Sequence, residues 1–132
     1  MLFSQNYFEE FGFLLILSVF FLGGFSNLIN WKNTQNFIVS KGFTIDSSLV
    51  ALIASLWQLG GVALSLIPSS RVTGFLTLIV FTLFSSFIFY PFWKMTDVER
   101  HVNFILFLSN LGVVGGLVLL IAKVIEPSRF YL

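Results

Sequence analysis

His101 to Ala122, HVNFILFLSNLGVVGGLVLLIA, contains no Asp, Glu, Lys or Arg. The run is longer than the roughly 20 apolar residues needed to cross the hydrocarbon core of a bilayer. Three stretches of the same kind precede it: Phe11 to Trp31, Ser47 to Ser70, and Val72 to Trp93. Lipid offers no partners to backbone N–H and C=O groups, so a spanning segment is a helix or part of a closed barrel. Barrel strands alternate apolar and polar residues, whereas these runs are continuously apolar. The reading is therefore four transmembrane helices, at about 11–31, 47–68, 72–93 and 101–123.

The connections between them are short, and short connections make sequential helices antiparallel neighbours. The expected fold is an all-α membrane protein, a single domain over residues 1–132 built as an antiparallel up-down bundle of four transmembrane helices. The longest connection, Asn33 to Asp46, carries Phe37, Ile38 and Val39 among polar residues and reads as a short helix in the interface. Pro68-Ser69-Ser70-Arg71 reads as a tight turn, and Lys94 to Arg100 as a charged loop with Asp97 a candidate cap of the last helix. Pro127 is expected to end that helix.

The composition agrees with lipid as the solvent. Of 132 residues, 57% are hydrophobic and 10% charged, against about 25% charged in soluble domains. A net charge of +1 with no basic stripe argues against nucleic acid as a partner. No cysteine is present, which removes disulfides, thiolate ligands and iron–sulfur clusters, and a single His101 does not make a metal site. Glu9 and Glu10 precede the first apolar run where a signal peptide would carry a basic region, so that run is read as a retained span. Flanking cations do not orient the bundle: Arg71, Lys123 and Arg129 fall on one side, Lys32, Lys41, Lys94 and Arg100 on the other.

Four polar residues stand out inside the spans: Asn27, Gln58, Tyr90 and Asn110. In an up-down threading, Asn27, Tyr90 and Asn110 share one half of the membrane, and Gln58 lies near its middle. These are the candidate ligand-binding residues, with Lys32, Asp97, Glu99 and His101 expected to cap them. The competing reading is hydrogen-bond glue between helices. No charged residue interrupts a span, which argues against a pump, channel or proton-coupled transporter. Broken helices and internal repeats, marks of many transporters, are not seen either. The glycines Gly23, Gly24, Gly60, Gly61, Gly112, Gly115 and Gly116 are read as sites of close helix packing. Trp31 and Trp93 sit at span ends as interfacial anchors, with Tyr131 beyond the last span, while Trp57 lies mid-span beside Gln58 and reads as lipid contact or core packing, with lining a site as the alternative.

Several segments resemble the DoxX family. They are Phe92 to Arg100, Phe107-Leu108-Ser109-Asn110-Leu111, Gly115-Gly116-Leu117, Gly24-Phe25-Ser26-Asn27 with Thr34 and Ser40-Lys41-Gly42, and Gly60-Gly61 followed by Arg71. The resemblance runs from about residue 12 to 121 and is most specific around the loop between the third and fourth spans. It implies a small four-helix membrane protein, in a family where some members associate with membrane oxidoreductases that feed quinones, thiosulfate–quinone oxidoreduction among them. The chain also departs from the family. Relatives often carry Lys at Asn27, His at Tyr90, Lys at Ser109 and Glu near Gln58. Ionisable intramembrane groups are costly and usually functional, so their neutral replacements here imply a divergent member that kept the fold and lost the chemistry.

Two functional expectations follow. The first is a non-catalytic accessory subunit of a larger membrane complex, respiratory or quinone-linked, whose partners are other membrane subunits and lipids; the aromatic ends (Phe3, Tyr7, Phe8, Phe130 and Tyr131) would serve as held surfaces. The second is a stand-alone DoxX-like protein that binds a quinone or phospholipid at Asn27, Gln58, Tyr90 and Asn110 and takes part in a redox reaction. No other cofactor is expected. The resemblance implies a bacterial cytoplasmic membrane, with the mitochondrial inner membrane as the alternative.

Overall fold

The computed structural model describes residues 2–43 and 45–125, with side chains from residue 7 onward. The readings placed on Pro127, Arg129, Phe130 and Tyr131, and on the side chain of Phe3, lie outside these residues. Five helices follow one another: α1 (Leu2–Ile29), α2 (Trp31–Ser40), α3 (Ser47–Leu66), α4 (Arg71–Phe89) and α5 (Asp97–Ile125). Single turns of 3-10 helix, Pro68–Ser70 and Phe92–Lys94, flank α4. Tyr7–Ile29, Ser47–Leu66, Pro68–Lys94 and Asp97–Ile125 are each long and apolar enough to cross a membrane, and on that measure the chain is an integral membrane protein.

The helix ends have local causes. α1 stops at Asn30, whose backbone leaves helical geometry (φ −96°, ψ 49°). Thr34 then donates its hydroxyl to the carbonyls of both Asn27 and Asn30, at 3.0 and 3.1 Å, folding α2 back against the end of α1. Trp31, read as the end of the first span, therefore opens a separate helix. α2 ends where Gly42 takes φ +83° and its N–H reaches the Val39 carbonyl at 3.0 Å, a left-handed residue after a helix that glycine adopts without strain. The Gln35 amide donates to the Ser48 hydroxyl and ties α2 to α3. Asp46 caps α3 by accepting from the Ser48 N–H at 3.0 Å.

Pro68 forces Ile67 into extended backbone (ψ 120°) and ends α3. The carbonyls left open there are taken by Arg71, whose guanidinium donates to Ser65 at 2.8 Å and Leu66 at 3.4 Å while lying 5.0 Å from the Phe13 ring centre. One side chain thus closes the α3–α4 turn and rests it on α1. Arg71→Ala is expected to lower stability by about 1–2 kcal/mol, from lost hydrogen bonds and a cation–π contact; an unfolding titration in detergent measures it. Pro91 likewise ends α4 at Phe89. Asp97, read as a cap, instead forms the first residue of α5, in left-handed backbone with φ +57°. Aspartate tolerates that region better than most side chains.

The core is a cluster of Leu17, Phe20, Val62, Phe75, Leu78 and Leu117. Along the α3–α4 seam, Trp57 meets Phe81, Gly61 meets Leu78, and Ser65 meets Gly74. Between α1 and α5, Glu9 pairs with Lys123 at 2.5 Å and Ile16 touches Gly116. In both seams the partner numbers run in opposite senses. A methyl group on Gly61 would lie 2.5 Å from Leu78 Cδ2, and one on Gly24 2.9 Å from Leu59 Cγ. Gly60, Gly112 and Gly115 depart from the expected close packing: a methyl group on any of them would meet nothing within 4 Å. Gly60 is exposed on α3; for Gly112 and Gly115 the reason is the placement of α5, which buries only Asn103, Phe107 and Leu117 and leaves both glycines on its open side. Trp93 lies in the turn before α5, its ring packed on Phe87, Phe92 and Phe107.

Candidate functional site: a polar cavity among the helices

All five helices contribute to a cavity of about 250 Å³. α1 lines it with Val19, Phe20 and Asn27, α2 with Thr34, Phe37 and Ile38, and α3 with Ala54 and Gln58. α4 adds Phe81, Thr82, Ser85 and Phe89, with Tyr90 just beyond its end, and α5 adds Asn110 and Val113. The four residues singled out in the sequence, Asn27, Gln58, Tyr90 and Asn110, all face this one space.

Each is held by its surroundings. Gln58 accepts from Asn27 Nδ2 at 3.3 Å, joining α3 to α1. Its side chain fits over Gly23 and Gly24, where added methyl groups would lie 3.1 Å from Gln58 Nε2 and 3.3 Å from its Cβ. These two glycines therefore make room for the amide as well as for the helix. Asn110 donates to the buried Ser86 hydroxyl at 2.8 Å, and Ser86 donates to the Thr82 carbonyl at 2.7 Å, a relay joining α5 to α4. Tyr90 stands at the α4 end, its ring 5.8 Å from Lys41 Nζ. The Asn27 carbonyl is fixed by Thr34.

The lining combines amides, hydroxyls and a phenol with aromatic and aliphatic walls. Each carboxamide has two donor hydrogens and an acceptor oxygen with two lone pairs. Gln58 and Asn110 each use one of these positions within the protein. The cavity thus presents both donors and acceptors to a neutral, hydrogen-bonding group. Among the residues lining it there is no carboxylate, imidazole or amine to move a proton near neutral pH. Among the described residues no group of three or more His, Asp or Glu side chains could hold a metal ion.

The expected cap is different. Lys32, Asp97, Glu99 and His101 do not line the cavity; Thr34, Phe37 and Ile38 of α2 line it instead. Asp97 and His101 border a separate outer groove with Arg100, Phe92 and Phe104. The break at Asn30 is the cause, because it starts α2 as a separate helix that brings Thr34, Phe37 and Ile38 to the cavity wall. Thr82, Ser85 and Ser86 are cavity and support residues that the sequence reading passed over. Short hydroxyls in apolar helices commonly bond their own backbone, so they carry little signal singly. Their spacing with Tyr90 along one face of α4 is the pattern that marks them.

Beside this cavity lies a groove of about 340 Å³ between α3 and α4, bordered by Phe43, Ile45, Val50, Ile53, Trp57, Phe84 and Ile88. The two spaces share a wall of Ala54, Phe81, Ser85 and Phe89. Compared with known proteins, the chain matches no family model, no curated protein and no solved structure.

Proposed function

We propose that this chain is a four-span up-down bundle that binds a neutral amphiphile, of the quinone or lipid class, in its intramembrane polar cavity, and that it does not catalyse a reaction by itself. The up-down arrangement is supported by the opposed numbering along the α3–α4 and α1–α5 seams. The binding reading rests on one observation: Asn27, Gln58, Tyr90 and Asn110, scattered through the chain, meet around a single cavity with hydrogen-bonding positions unused. Asn27 with Gln58 and Asn110 with Ser86 do join helices, but the space left among them, with amide positions unused, favours a bound polar group as well. Neutral groups suit holding a carbonyl or hydroxyl head rather than relaying protons. The membrane proposed is the bacterial cytoplasmic membrane, which follows from the DoxX resemblance, with the mitochondrial inner membrane as the alternative on the accessory-subunit reading; the chain is proposed as a divergent relative of that family.

The test is native mass spectrometry of protein extracted in a mild detergent. One quinone or lipid retained per chain is the expected result. Identical adducts on the wild type and on an Asn110→Leu variant would count against a specific site.

A second reading has its own observation. Ser109, Gly112 and Gly115 are exposed on the open side of α5, and small residues allow another transmembrane helix to approach closely. This favours an accessory subunit of a larger membrane complex, respiratory or quinone-linked. Stoichiometric recovery of other membrane subunits with the native protein is expected on that reading; recovery of a lone monomer would remove it.

A further inference from the structure

The polar cavity is smaller than the roughly 300–1,000 Å³ typical of small-molecule sites, so its 250 Å³ accommodates a head and little more. The adjoining groove has the opposite chemistry. Its Trp57 indole N–H is already donated to the Thr77 carbonyl at 3.1 Å, and Ser85 donates to the Thr82 carbonyl at 3.2 Å. What remains toward the groove is aromatic and aliphatic surface, suited to hydrocarbon. On its rim, Ile53 and Phe84 are 52% and 60% exposed, and both belong to spanning helices. This part of the rim thus lies on the outer, lipid-facing side of spanning helices, while Phe43 and Ile45 of the α2–α3 connection border the other end of the groove.

The seam geometry explains why the groove lies at this end. α3 and α4 approach closely where Gly61 and Gly74 remove side chains. Past Trp57, the groove lies among Val50, Ile53 and Ala54 of α3 and Phe84, Ser85 and Ile88 of α4.

Resting on the binding reading above, we infer that the groove between α3 and α4 is a lateral portal holding the single hydrocarbon chain of a membrane amphiphile whose neutral head sits at Gln58 and Asn110. The head crosses the wall formed by Ala54, Phe81, Ser85 and Phe89, and the chain stays behind in the groove. A fatty acid anion is disfavoured, because the cavity lining provides no cation. A carbonyl-bearing ring and a glycerol ester present the same chemistry: neutral oxygens on one chain.

The experiment uses the full chain in nanodiscs and four probes. A fully substituted benzoquinone carries either a ten-carbon chain or a methyl group in its place. A glycerol ester carries either decanoate or acetate. Two variants plug the groove from opposite helices without touching the polar cavity: Val50→Phe on α3 and Ile88→Phe on α4. Tail and bilayer are equally apolar, so the effect is steric and not hydrophobic. Each plug should weaken the long-chain probe by at least about tenfold, the scale of overfilling a packed site, and leave its short partner within about twofold. Should one variant misfold, the other decides. A response confined to the ring pair identifies a quinone-like source, and one confined to the ester pair identifies a lipid. If long and short probes bind alike to wild-type and plugged proteins, the portal is wrong and the cavity reading stands. If no probe binds the wild type, both fall together.

Discussion

Gly74→Ala is expected to lower the unfolding free energy by about 1–3 kcal/mol, the usual cost of forcing a methyl group into a packed core. The new carbon would run into the Ser65 backbone nitrogen and hydroxyl, and would sit 2.8 Å from Ser65 Cα. Backbone cannot rotate aside, so the whole α3–α4 seam must part. Two comparisons calibrate the effect. At Gly116 the obstacle is Ile16 Cδ1 at 2.8 Å, the tip of a flexible side chain that can move. At Gly112 there is no obstacle within 4 Å, and alanine should gain up to about 1 kcal/mol of helix propensity. Unfolding titrations in detergent should therefore rank the variants Gly112→Ala, Gly116→Ala, Gly74→Ala from most to least stable. Equal stability of Gly74→Ala and wild type would contradict the seam.

Gln58→Leu is expected to separate stability from binding. Within the fold it removes one 3.3 Å contact with Asn27, and hydrogen bonds between membrane helices average about 0.6 kcal/mol. The melting transition should hardly move. At the ligand the loss is larger, because a head group is left facing leucine with its oxygen unpaired. An unmatched buried polar group costs about 1–3 kcal/mol, which translates to roughly five- to 150-fold in affinity. Titrating the ten-carbon quinone probe against both proteins, alongside a melt of each, reads the two quantities separately. A large loss of stability with unchanged affinity would make Gln58 glue and nothing more.

Much of this was legible in the sequence, for one physical reason. Charges are too costly inside lipid to be scattered there, so four charge-free runs announce four helices, and amides such as Gln58 and Asn110 stand out against them. The break at Asn30 was less visible. Asparagine is an ordinary residue near a helix end, and the deciding bonds come from Thr34, a turn further on. The place of α2 at the cavity wall depends on that break, which is why Lys32, Asp97, Glu99 and His101 are expected from the sequence where Phe37 and Ile38 are found. Small residues misled for another reason. Gly112 and Gly115 show what could approach α5, but only its position beside α4 and α1 decides which side is covered.

The ion pair between Glu9 and Lys123 carries a consequence for biogenesis. Its members belong to the first and the last spanning helices, so synthesis delivers the acid long before the base. Chains made from the N-terminus fold in that order. Glu9 then meets Lys123 only after three further spanning helices, α3, α4 and α5, have been made. The clasp closes only when α5 is in place, and it brings the first and the last spanning helices together. A ribosome-stalled chain lacking α5 should therefore leave Glu9 more reactive toward water-soluble carboxyl reagents than the completed chain, in which it pairs with Lys123.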